Sequence, residues 1–147
     1  MKKVFVISFF AMVLLTGCVA KKEESQVNST PVVQHQPTEF SARFEISTNG
    51  TKRIFTDKKY HNQSPEVYIE SSDPSRITVK KAGITWSNFF QTLPMSLSSS
   101  CLVTGTKQTF CSNETHTLRF WINGVETPDA LETEMKPEDF LKVEYGR

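Results

Sequence analysis

Three cysteines and three histidines hold much of the reactive chemistry this chain could perform. Cys101 and Cys111 are separated by nine residues. That spacing is not Cys-x-x-C, and nothing obvious beside either residue lowers a thiol pKa. Two chemistries remain: a structural disulfide or a redox pair. His35, His61 and His116 are each isolated, His61 within Lys58-Lys59-Tyr60-His61-Asn62-Gln63 and His116 after Asn113-Glu114. A metal site would need ligands that the sequence does not place beside them. Glu132, Glu134, Glu138 and Asp139 form an acidic segment against Lys136, which reads as a solvated turn, with a cation site or a partner-facing patch as the alternatives. There is no Gly-x-Ser-x-Gly, no His-Glu-x-x-His and no glycine-rich phosphate loop. The expectation is therefore a non-enzymatic chain with no catalytic set, no metal and no cofactor.

Trp121 is the candidate contact residue. In Leu118-Arg119-Phe120-Trp121-Ile122 the alternation puts Trp121 and Arg119 on the face opposite Phe120. If only one face of the sheet is covered, Trp121 is an exposed anchor for a partner. If a second layer covers that face, Trp121 is core. The sequence leaves both open.

Composition narrows the classes. The 147 residues are 37% hydrophobic and 22% charged, with 17 basic against 16 acidic side chains. That balance lacks the clustered basic excess of a nucleic-acid binder. The apolar fraction and 11 Phe suit one folded domain.

The first residues read as a targeting signal. Lys2 and Lys3 precede an apolar run from Val4 to Leu15, too short for a comfortable membrane span. Leu15-Thr16-Gly17-Cys18 resembles the bacterial lipobox, in which the Cys is acylated and becomes the new N-terminus. The resemblance implies a signal peptide over 1–17 and a bilayer as partner through Cys18. Val19, where Gram-negative lipoproteins kept in the inner membrane carry Asp, implies the outer membrane, on its periplasmic or outer side. Several acyl chains, at about 0.8 kcal/mol per buried CH₂, anchor stably. Cleavage would remove Lys2 and Lys3 and take the net charge from +1 to −1.

Residues 18–39 then form the acylated Cys and a polar tether, including His35, whose roughly twenty residues reach about 25 Å on average. With Cys18 acylated in an oxidising compartment, Cys101 and Cys111 remain as an even pair, which favours the disulfide. Closing so short a loop is worth roughly 3 kcal/mol in the chain-entropy model.

The expected domain spans 40–147. Phe40, Ala42, Phe44 and Ile46 alternate with polar residues as a half-buried strand. Asn49-Gly50 turns it into a return strand over Thr51–Thr56, with Phe44 opposite Phe55 and Ile46 opposite Arg53 at an exposed turn end. Val67 and Ile69 pair with Val79 and Ile77 across an odd five-residue loop. Thr85 caps a short helix whose Trp86, Phe89, Phe90 and Leu93 share one stripe. A hairpin stapled at Cys101 and Cys111 follows, then a strand turned at Asn123-Gly124, and a short final strand ending at Gly146. The fold class is α+β: mainly antiparallel hairpins with one helix packed across the sheet.

The order from Ile77 to Gly146 resembles β-grasp, ubiquitin-like domains. Gly83-Ile84-Thr85-Trp86-Ser87-Asn88-Phe89-Phe90 and Leu118-Arg119-Phe120-Trp121-Ile122-Asn123-Gly124 are also similar to a family of small prokaryotic envelope proteins of uncharacterised function. In that family the preceding strands often carry His-x-His pairs. Here Ser41 and Arg43, Tyr68 and Glu70, and Thr78 and Lys80 stand at the equivalent positions, so the resemblance carries no metal site across. The functional expectation is an envelope lipoprotein acting as a protein-binding accessory module with an envelope protein as partner. A small-ligand or metal-binding carrier is second, and a thiol–disulfide oxidoreductase through Cys101 and Cys111 third.

Overall fold

A computed structural model describes residues 39–147. The signal segment, Cys18, the tether and His35 lie outside the described residues.

Two sheets and one helix build the domain. The elements are β1 (Phe40–Thr48), β2 (Thr51–Lys52), β3 (Val67–Ile69), β4 (Arg76–Val79), α1 (Trp86–Gln91), β5 (Ser96–Leu97), β6 (Cys101–Val103), β7 (Thr109–Cys111), β8 (Thr117–Ile122), β9 (Val125–Glu126) and β10 (Phe140–Gly146). The large sheet runs β3-β4-β1-β10-β8-β9, with β2 also on β1. It is mixed: β1 and β10 are parallel, while the other pairs are antiparallel. The small sheet is β5-β6-β7. Among the described residues no helix is long and apolar enough to cross a membrane.

Alternation decides which side of the large sheet is covered. Ala42, Phe44 and Ile46 on β1, Ile77 and Val79 on β4, Leu118 and Phe120 on β8, and Leu141 and Val143 on β10 all point to one buried face. Trp86, Phe89 and Phe90 lay the helix stripe against it, and Leu93, just past the helix end, joins the same core. Phe44 is the hub, with ring centroids 4.8 Å from Phe55, 5.4 Å from Phe89 and 5.9 Å from Phe90. The helix has only six residues, so its start matters. Thr85 Oγ1 accepts from the Asn88 N–H (3.2 Å), and Thr85 N–H donates to Asn88 Oδ1 (2.9 Å), closing a capping box.

Several expectations hold in register. Val67 faces Val79 and Ile69 faces Ile77 across the five-residue loop. Ile122 faces Val125 across Asn123-Gly124, both at positive φ. Cys101 and Cys111 are directly opposite, Cα atoms 4.1 Å apart, and are disulfide-bonded. Ser112 N–H donates to Ser100 O next to them, so the cysteines occupy a non-hydrogen-bonded pair, where side chains come closest.

Four expectations are corrected. The return strand is Thr51–Lys52, not Thr51–Thr56. β2 and β4 share one edge of β1: β4 takes Phe40–Arg43 and β2 takes Ser47 and Thr48. Arg53 still donates to Ile46 O (2.8 Å), but Phe55 then turns into the core and Ile54 out to solvent, 73% exposed. The turn end is not open as expected either, because Ile46 is fully buried beside Leu102 and Met95 of the segment that forms the small sheet. The last strand is not short: β10 has seven residues and lies between β1 and β8. Finally, the polar stretch around His61 buries Tyr60 in a 3₁₀ turn over Lys58–Tyr60.

Candidate functional site

The faces of β8 and β10 that are not packed on the helix carry the candidate site. Arg119 and Trp121 alternate outward from Leu118 and Phe120, and Lys142 and Glu144 outward from Leu141 and Val143. Register then brings these four together. Trp121 lies opposite Lys142, and Arg119 opposite Glu144. The row continues to Glu45 on β1 and Glu126 on β9.

Trp121 is half-buried, not lost under a second layer and not fully exposed. Two cations lie over its ring: the Arg119 guanidinium is 5.5 Å from its centroid and Lys142 Nζ is 5.1 Å. Lys142 also donates to Glu144 at 2.7 Å. That bond, with smaller help from the charges of Lys142 and Arg119, holds the Glu144 carboxyl below its usual range. Arg119 Nε is buried and has no hydrogen-bond partner among the described residues. The result is an aromatic plate held by two charged side chains near the β9 edge of a sheet face that the described residues leave uncovered. Such a plate suits an apolar or acidic contact on another protein.

Arg119 and Trp121, paired by alternation, are thus side by side. Lys142 was missed. Its signal was present in Leu141-Lys142-Val143, but only the β8–β10 register makes it a neighbour of Trp121. The acidic segment does not join the patch. Asp139 is not a solvated turn residue: it is buried, accepts from the Lys136 N–H (2.8 Å) and accepts from Asn123 Nδ2 (2.8 Å). It ties the final turn to the Asn123-Gly124 hairpin. Glu134 accepts from the Gly83 N–H (2.7 Å).

The remaining candidates have local roles. His61 Nε2 bonds to Phe55 O at 2.8 Å. His116 Nδ1 bonds to Thr115 Oγ1 at 2.9 Å and its ring stacks on Tyr145, centroids 5.5 Å apart. No group of three His, Cys, Asp or Glu among the described residues is placed to hold a metal ion. Ser41, Thr78 and Tyr68 stand in one register row on the side away from the helix, where Thr78 is buried and bonded to Glu70 and Lys80 lies over the Tyr68 ring at 5.4 Å. The cystine is half-buried at the base of the β6–β7 hairpin. No known protein family, curated protein or solved structure matches this chain.

Proposed function

We propose that this chain is a bacterial envelope lipoprotein, anchored through Cys18, whose domain is a non-enzymatic protein-binding module docking through the sheet face around Trp121 and Arg119. The observation that carries the docking reading is Trp121 itself: a large aromatic ring on the face that the described residues leave uncovered, half-buried, with two cations over it at 5.1 and 5.5 Å. A ring already held in place loses little freedom on binding, which is the property of an interface anchor. Leu15-Thr16-Gly17-Cys18 supports the anchor. The Cys101–Cys111 disulfide supports an oxidising compartment such as the envelope.

The domain reads most naturally as β-grasp-like. Its support is the parallel pairing of β1 with the last strand, flanked by the antiparallel β4 and β8, with α1 on one face.

The test is comparative capture. The acylated chain is cross-linked in native membranes as wild type, Trp121→Ala and Ile54→Ser. The reading expects a defined protein held by wild type and by Ile54→Ser and lost with Trp121→Ala. Identical capture by a folded Trp121→Ala protein would overturn it.

A further inference from the structure

A cavity of about 190 Å³ opens where the Lys52–Phe55 segment meets the tip of the disulfide hairpin. It lies on the covered side of the large sheet, away from Trp121, and does not depend on the docking reading. Its walls are Ile54, Met95 and the edges of Phe55 and Tyr60, above a floor of Ile46 and Leu102 that is closed to solvent. A dry apolar cavity of roughly 150 Å³ holds a benzene-sized group, so this volume admits one ring or a short branched chain.

Its rim has a different chemistry. Arg53 is locked in place: Nε donates to Thr48 Oγ1 (2.8 Å), Nη1 donates to Gln108 Oε1 (3.0 Å), and the guanidinium lies 4.9 Å from the Phe110 centroid. Among the described residues Arg53 has no acidic partner and Nη2 makes no hydrogen bond. Lys52 also reaches the rim, but it is bound to Glu45 at 2.7 Å. Thr104 and Thr106 add hydroxyls 3.0 Å apart. Ile54 lines the same opening while 73% exposed, an apolar side chain that nothing in the domain covers.

We propose that this cavity binds a small carboxylate bearing one ring-sized apolar group. The carboxylate is received by Arg53, and the apolar group lies against Met95 and the edge of Phe55, beneath Ile54. A fixed guanidinium without an acidic partner matches a carboxylate in geometry and charge. The walls reward an apolar body, and the occupant would cover the otherwise exposed Ile54.

The experiment titrates the full chain in detergent micelles and follows backbone amide shifts by NMR. The probes are 3-phenylpropanoate, its neutral amide and acetate. The acid is expected to give saturable shifts at Ile54, Gly105 and Thr106 in the millimolar range suited to so small a ligand. The amide should bind at least tenfold more weakly, because it loses the charge-assisted bond, and acetate should give no saturable shift. Arg53→Met should weaken the acid tenfold or more, and Ile54→Ser several-fold. Should Arg53→Met fail to fold, Ile54→Ser and the acid–amide contrast still decide. Equal affinity for acid and amide, no saturation into the tens of millimolar, or shifts confined to Trp121 and Lys142 would each overturn the site.

Discussion

On the covered face of the large sheet, Trp86 and Phe89 are fully buried and Phe44 touches three other rings. On the open face, Arg119 and Lys142 lie over the ring of Trp121. The same residue type therefore sits in two different settings. Buried apolar surface is worth about 25 cal/mol per Å² and supplies most of the stability. A half-exposed ring beneath two charges contributes about 1 kcal/mol, and its remaining surface is free for a partner. On the docking reading proposed above, stability and recognition fall to opposite faces of one sheet, so mutations on the two faces should separate.

The largest expected effect lies on the covered face. Phe89→Ala should cost about 3–5 kcal/mol, since it removes a ring from a closed aromatic cluster and leaves a cavity. Urea unfolding measures it. A loss under about 1 kcal/mol would mean that the two faces do not differ as described.

Next is the staple. Cys101→Ser should cost roughly 3 kcal/mol, which for a domain near 100 residues is roughly a 10–20 °C fall in melting temperature. The small sheet covers the Ile46 end of the core through Leu102. Wild type in reducing agent should therefore behave like Cys101→Ser, and a reduced protein that melts like the oxidised one would remove the staple role.

The two tryptophans sharpen the comparison directly. Trp121→Ala should cost about 1 kcal/mol. With Trp121→Phe, the remaining fluorescence comes from buried Trp86 and should resist acrylamide. With Trp86→Phe, it comes from half-buried Trp121 and should be quenched readily. Equal quenching in the two variants would contradict the assignment of faces.

How much of this was legible in the sequence differs between local and distant relations. The Asn49-Gly50 and Asn123-Gly124 turns, the five-residue loop aligning Ile69 with Ile77, and the Thr85 cap all depend on residues close in sequence, and each stands in the structure. The parallel partnership of β1 and β10 joins residues about a hundred positions apart, and no local pattern encodes it. For the same reason Lys142 was missed beside Trp121, Ile46 was expected at an exposed end, and Asp139 was expected in solvent. In each case a distant segment supplies the neighbour: β10, the small sheet, or Asn123. The cavity at Arg53 was equally hidden, since it exists only where the Lys52–Phe55 segment and the Thr104–Thr106 turn meet.

The smallest expected effect concerns charge at one edge of the open face. Asp73 Oδ1 accepts from the Ser75 hydroxyl (2.7 Å) and the Ser75 N–H (3.1 Å), and Arg43 and Arg76 lie within 3.8 Å of Oδ2. The Ser75 hydrogen bonds, then the two arginines, lower its pKa below the ordinary Asp value of about 3.9. A carboxylate depressed in the folded state stabilises above its unfolded pKa, and that stability is lost as pH falls through the folded value. Asp73 is partly exposed, so solvent screening keeps the gain under about 1 kcal/mol. Asp73→Asn should therefore melt slightly below wild type at pH 6, and the two should converge as pH falls below about 3.9. A difference that persisted unchanged at the lowest pH would show that the loop depends on the shape of the Asp73–Ser75 turn and not on its charge. That outcome would extend to the edge of the open face the rule found on the covered one, where packing, not electrostatics, sets stability.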